Sequence, residues 1–224
     1  MRVIISALAV TAGLGLMTVA CAPMEETAAG HVNRGIRHHE MGYLGLAIAN
    51  YSRAIELDPS NALAYNKRGQ AYYQQQIYSW AIADLNRNIE LNPNYTDAYS
   101  NRGMAYYYLS QSDKDGFRWE PHHIKLGQAI ADFNRAIARN PSLAAQLNPW
   151  LSLAYYDRGL FYYSVQGEEV LAEVDFNKSL ELNPDYSDTY LARGLLFRQQ
   201  GKLDLAEADF SKALDLNSDL VIPD

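Results

Sequence analysis

The sequence predicts an all-α solenoid, and two observations carry that prediction. Glycines recur at a fixed step: Gly35, Gly69 and Gly103 stand 34 residues apart, and Pro59 and Pro93 follow the first two by 24 residues. Between each glycine and proline, apolar and small residues fall at helical spacing, as in Ala81, Leu85 and Ile89 or Ala206, Phe210 and Leu214. A period of this length marks units that bury an apolar face only against their neighbours. Gly103 with Pro141, Gly159 with Pro184, and Gly194 continue the series across insertions, which makes five units. Such repeats present a surface, so the chain reads first as a binder.

The chain has 224 residues, 48% of them apolar, which is ample for a continuous core and too polar for a multispan membrane protein. Net charge is −7, from 19 basic and 26 acidic residues. That balance argues against nucleic acid, whose affinity comes mainly from neutralised phosphates. The only cysteine, Cys21, excludes an intrachain disulfide and a thiolate metal cluster.

At the N-terminus, Arg2 precedes an uncharged, moderately apolar stretch, and residues 1–20 read as an export signal. The segment Met17-Thr18-Val19-Ala20-Cys21 resembles a bacterial lipobox. The resemblance implies cleavage before Cys21 and acylation of its thiol, with palmitate among the chains. Ala22, where an aspartate would retain the protein at the inner membrane, implies an outer-membrane anchor facing the periplasm. Two other readings stay open: ordinary cleavage after Ala22, and an uncleaved helical anchor. Buried acyl chains contribute ~0.8 kcal/mol per methylene, so several hold a protein far more firmly than one. Residues 21–30 lack an apolar period and read as a lipidated tether.

With the glycine set as position 8, the units at residues 31–218 share many further positions. Tyr65, Gly69, Tyr72, Ala81, Leu85 and Pro93 in the second are matched by Tyr99, Gly103, Tyr106, Ala129, Phe133 and Pro141 in the third. The fifth has Tyr190, Gly194, Phe197, Ala206 and Phe210, with Ser218 in place of the proline. This pattern resembles the tetratricopeptide repeat, a helix–turn–helix unit that stacks into a right-handed superhelix. Gly at position 8 and Ala at 20 remove bulk where the two helices of a unit cross, and the large residue at 24 fills the space between them. Asp58-Pro59, Asn92-Pro93, Asn140-Pro141 and Asn183-Pro184 end one unit, because proline disfavours helical geometry in the residue before it. Arginine recurs at position 7 (Arg34, Arg68, Arg102, Arg158, Arg193) and an acid at 23 (Asp84, Asp132, Asp175, Asp209). Because the two series repeat in step, structural pairing explains the arginines better than ligand binding does.

Departures from the pattern carry information. His31 and His38 replace apolar or tyrosine residues in repeat 1, whose first helix is expected to be loosely held. Asn88 stands where alanine is usual and needs hydrogen-bond partners. Repeat 3 contains an insertion at about 110–124, and eight further residues separate Pro141 from Gly159. Asn148-Pro149 restores the usual step of 10 to Gly159, so the second helix of repeat 3 is expected to run on or to be followed by an extra turn. After Asn217 too few residues remain for a capping helix: either Leu220, Val221 and Ile222 in the tail (219–224) fold back, or a second copy covers the end as a homodimer, the preferred reading.

In tetratricopeptide repeats the first helix of each unit lines a concave face, which implies partner-binding roles for Tyr73, Tyr107 and Tyr163 at position 12. Tyr108 and Tyr156 join them, whereas Tyr72, Tyr106 and Tyr162 at position 11 are expected to face the neighbouring helix. Tyrosine gives a large, rigid contact with a polar tip; simple padding of the superhelix competes equally. Val32, Asn66 and Ser100 at position 5 exclude the carboxylate clamp of chaperone-binding members. Phe117 and Trp119 in the insertion are candidate loop contacts, or fold back onto the repeat. Asp113-Lys114-Asp115-Gly116 is not a calcium loop, since Gln111 and His122 occupy its end ligand positions. No metal site, cofactor or catalytic motif is implied.

The function expected is that of a non-catalytic adaptor in the bacterial envelope, binding partner proteins. Resembling lipoproteins serve cell-wall hydrolases, proteases, or secretion and pilus machinery. The alternative is a module for peptidoglycan or a small ligand, with the tyrosines as a stacking platform.

Overall fold

The computed structural model describes residues 26–112 and 122–223. Among these the chain forms ten α-helices and no strand. They pair in order: α1 (Ala28–Glu40) with α2 (Leu44–Leu57), α3 (Ala62–Gln74) with α4 (Tyr78–Leu91), and α5 (Thr96–Ser112) with α6 (His122–Arg139). Then follow α7 (Ala144–Phe161) with α8 (Glu169–Leu182) and α9 (Ser187–Gln199) with α10 (Leu203–Leu216). Each helix packs on its neighbours along the chain, and the first helices of successive units also touch, α1 to α3, α3 to α5 and α5 to α7. The first helices therefore form the inside of the curve. The fold is an all-α solenoid of five helix–turn–helix repeats.

The crossing inside each unit is set by the glycine. A Cβ at Gly194 would lie 2.6 Å from Phe210 Cε1, and one at Gly103 or Gly159 would lie 2.8 Å from the same atom of Phe133 or Phe176. At Gly69 the nearest atom would be Leu85 Cγ at 3.0 Å. Alanine would gain about 1 kcal/mol in helix propensity, but overpacking costs about 1–3 kcal/mol. Gly103→Ala is therefore expected to lower the urea midpoint, and Phe133→Leu in the same chain to relieve part of the crowding, since a Cβ at Gly69 would meet Leu85 at 3.0 Å where one at Gly103 meets Phe133 at 2.8 Å. A neutral Gly103→Ala would show that the close crossing does not limit stability.

Arginine and aspartate stitch the helices. Arg102 Nε and Nη2 donate to Asp132 Oδ2 and Oδ1 at 2.7 and 2.8 Å, and Arg68–Asp84, Arg158–Asp175 and Arg193–Asp209 repeat the arrangement. A further N–H of three of these arginines reaches back to the preceding unit: Arg68 to Ser52, Arg102 to Asn86 and Arg193 to Asn177. Rings at positions 4 and 11 clasp the guanidinium; Tyr99 and Tyr106 lie 5.7 and 6.0 Å from that of Arg102. Repeat 1 differs: Asn50 replaces the acid, and the Arg34 guanidinium lies 3.0 Å from His31 Nδ1. Even so, α1 is seated on the repeat through buried Val32 and Gly35.

The residues before the four prolines hold φ between −137° and −142°, which ends each unit. Asn88 meets half its need, its Nδ2 donating to Ala62 O at 2.6 Å. The structure departs from expectation at three places. First, α1 begins at Ala28, with Thr27 Oγ1 accepting from Gly30 N–H, so the last residues assigned to the tether are helical. Second, the extra residues before Gly159 do not lengthen the second helix of repeat 3, which ends at Arg139. The extra turn is present as a 3-10 turn at Pro141–Leu143, but the remaining residues extend α7 at its N-terminus, and Pro149 lies inside that helix. The bond Pro149 cannot donate would end on the exposed Ala145, where water serves, while Leu147 and Leu151 are buried and hold the turn in place. Third, the tail turns back: Arg198 Nη1 donates to Pro223 O at 2.6 Å and Leu220 and Ile222 are half-buried, although Leu203 and Leu205 of α10 stay exposed.

Candidate functional site

The inner face of α3, α5 and α7 carries a continuous run of rings. Tyr73 lies 5.8 Å from Tyr108, which stacks on Tyr78 at 5.7 Å and 17°. Trp150, on the extension of α7, stands 5.8 Å from both Tyr107 and Tyr108. Beside them is a cavity of about 150 Å³, lined by Gln70 and Tyr73 of α3, Ser100 and Asn101 of α5, and Gln146 and Trp150 of α7. Ser100 Oγ and Asn101 Nδ2 are buried without a hydrogen-bond partner. So are both amide atoms of Asn66, one turn before Gln70 on the same helix face. A second aromatic group lies further along, where Tyr156 meets Tyr186 at 5.0 Å.

Residues 62–95 and 187–220 match the family described as "Tetratricopeptide repeat", and residues 35–76 match that described as "TPR repeat". These three stretches are similar to tetratricopeptide repeats. The stretch between the matches, residues 96–186, contains both insertions. A crystal structure of the MamA protein is similar at 25% identity and a TM-score of 0.57, over 88% of this chain and 98% of that one. A second MamA crystal structure is similar at 27% and 0.55, over 82% and 94%. YrrB, described as a TPR protein with an unusual peptide-binding site, shares the fold at 21% identity and a TM-score of 0.58, over 87% and 88%. No curated protein sequence matches the chain.

Within the tetratricopeptide frame, the tyrosines sort differently from expectation. Tyr73, Tyr108, Tyr156 and Tyr163 are half-buried. Tyr107 is 6% exposed, and its hydroxyl donates to Asp157 Oδ2 at 3.0 Å. It is not an open groove contact, because the extension of α7 brings Trp150 over it. Tyr163 packs on the cluster of Ala172, Phe176, Ala192 and Leu196. At position 11, Tyr72, Tyr106 and Tyr162 are half-buried rather than core, since they clasp the arginines. Tyr106 also lines an outer depression of about 410 Å³ with Ile82, Leu109 and Ile124. Cys21, Phe117 and Trp119 lie outside the described residues. Among the described residues no three His, Cys, Asp or Glu side chains could share a metal ion, and no helix is long and apolar enough to cross a membrane.

The groove residues missed by sequence reasoning are Tyr78, Trp150, Tyr186 and the amides. Trp150 and Tyr186 do carry a signal, an aromatic one or two residues after the proline of an Asn-Pro pair.

Burial raises four phenols of this face above the ordinary value. Tyr156 is pushed up to about 12 by burial and then by the charges of Asp188 and Asp157, and Tyr73, Tyr107 and Tyr186 are raised chiefly by burial. A raised folded value means stability that is complete below pH ~10 and is lost as pH climbs toward the folded values, because the unfolded phenols ionise first. Absorbance at 295 nm is therefore expected to show a class of tyrosines that ionise only with loss of helical circular dichroism. Complete ionisation by pH 11 with the helices intact would refute this.

Proposed function

We propose that the protein is a non-catalytic adaptor of the bacterial cell envelope. It is held at the outer membrane by a lipid on Cys21, faces the periplasm, and binds an extended segment of partner proteins in its concave face. Cell-wall hydrolases, proteases and secretion or pilus components are the partner classes in view. The observation that carries this reading is the aromatic run from Tyr73 through Tyr108 to Trp150, beside a cavity at which Ser100 Oγ and Asn101 Nδ2 have no partner within the chain. Buried polar groups are ordinarily satisfied, so such a face suits a ligand that supplies hydrogen bonds. Rigid aromatic anchors flanked by polar groups also suit protein contacts.

A photo-crosslinking residue at Tyr108, introduced in cells, tests the groove against one at exposed Lys212. A protein adduct formed from position 108 and not from 212 is the expected result. Equal labelling from both, or capture of peptidoglycan fragments alone, would overturn the protein-adaptor reading. The anchor is tested separately: Cys21→Ser is expected to abolish palmitate incorporation and move the protein from the membrane to the soluble fraction. An unlabelled wild type would remove the lipid from the proposal.

A further inference from the structure

We propose that the cavity between α3, α5 and α7 is a specificity pocket for one neutral aromatic side chain, Phe or Tyr, of the bound segment. The inference rests on the groove reading above and names what the groove selects.

The pocket is a property of this chain's irregular unit. Its α7 wall, Gln146, Leu147 and Trp150, lies in the N-terminal extension of that helix, ahead of Ser152, which aligns with the first helical residues Ala28, Ala62 and Thr96 of the first three units. Without those added turns the groove of repeats 2 and 3 would have no roof at this point. Its size fits a single ring: an apolar cavity of ~150 Å³ accepts benzene, and this one measures about 150 Å³. Trp150 and Tyr73 offer ring faces and edges, while Met104 offers a thioether, which makes favourable contacts with aromatic edges.

Charge decides the rest. None of the side chains lining the pocket is ionised: the polar ones are the amides of Gln70, Asn101 and Gln146, the Ser100 hydroxyl and the Tyr73 phenol. A lysine side chain entering it would leave water without meeting an opposite charge, and an aspartate or glutamate would have to compete with Gln70 Oε1 for Lys67 Nζ, which lies 3.4 Å from it, so both are disfavoured. Ser100 and Asn101, unpartnered in the free protein, stand at the wall where the backbone of the bound segment would pass, and can bond its amides.

Selection of random linear peptides displayed on phage, against the full chain in detergent, tests the proposal. Enriched peptides are expected to share a Phe or Tyr at one position. Changing that residue to Lys or Asp should weaken binding at least tenfold, as should Trp150→Ala. Because Trp150 also packs on the core of repeat 3, a second variant is needed: Gln146→Phe, which fills the pocket from its exposed rim, should give the same loss with unchanged circular dichroism. Peptides that lack a shared aromatic, or that bind both variants as well as the wild type, would overturn the pocket and leave the groove reading standing. A failure to enrich any peptide would remove both.

Discussion

Replacing Asp132 with alanine is expected to cost about 3–5 kcal/mol of stability, the range for breaking a buried pair by removing one partner. The Asp132 side chain is 2% exposed and that of Arg102 is 14% exposed. Alanine would leave the guanidinium clasped between Tyr99 and Tyr106 with only Asn86 to accept from it. Removing both members, as Arg102→Met with Asp132→Leu, should restore most of the loss, since no uncompensated charge remains. Urea denaturation followed by circular dichroism measures both variants. A cost below 1 kcal/mol for Asp132→Ala would place the pair with exposed ones. Asn50→Ala, at the equivalent position of repeat 1, should cost far less, because no carboxylate is lost there.

Phe133→Ala is expected to cost a similar amount, about 3–5 kcal/mol. Phe133 is fully buried in the largest core cluster, with Leu126, Ala129 and Ala136 of its own helix, Tyr99 and Tyr107 of α5, and Leu147 and Leu151 of α7. Its loss weakens both the crossing within repeat 3 and the seat of the α7 extension. Phe210→Ala, at the half-buried equivalent in the last repeat, should cost roughly half as much, since less area is buried there. In a solenoid, stability is close to a sum of unit and interface terms. Phe133→Ala should therefore also broaden the transition as the two halves of the stack uncouple. Equal costs at Phe133 and Phe210 would show that burial at repeat 3 is not what holds the centre.

The fold was legible because its determinants are local and repeated. Gly103 and Phe133 must fit the same crossing as Gly194 and Phe210, and Arg102 needs Asp132 as Arg193 needs Asp209, so period and composition announce them together. The site was legible only in part. Tyr73 and Tyr108 could be placed from repeat position alone. Tyr107 could not, because Trp150, which meets it 43 residues later, comes from a helix extension with no counterpart in the other units. Asn148-Pro149 carried the signal of a helix stop, and tertiary burial of Leu147 and Leu151 overrode it. The unpaired amides of Asn66 and Asn101 announce themselves only once their surroundings are known.

The missing acid in repeat 1 has a mechanical consequence. If the protein is tethered at its N-terminus and a bound partner pulls on its groove, tension enters through α1. The first unit it meets is the one whose arginine meets only a histidine, itself bonded to Asn50, where every later unit has a clamped carboxylate. Under load, repeat 1 should peel away and lengthen the leash while repeats 2 to 4 keep their shape. The weakest stitch then protects the grip, yielding at the anchor end before the binding face is deformed.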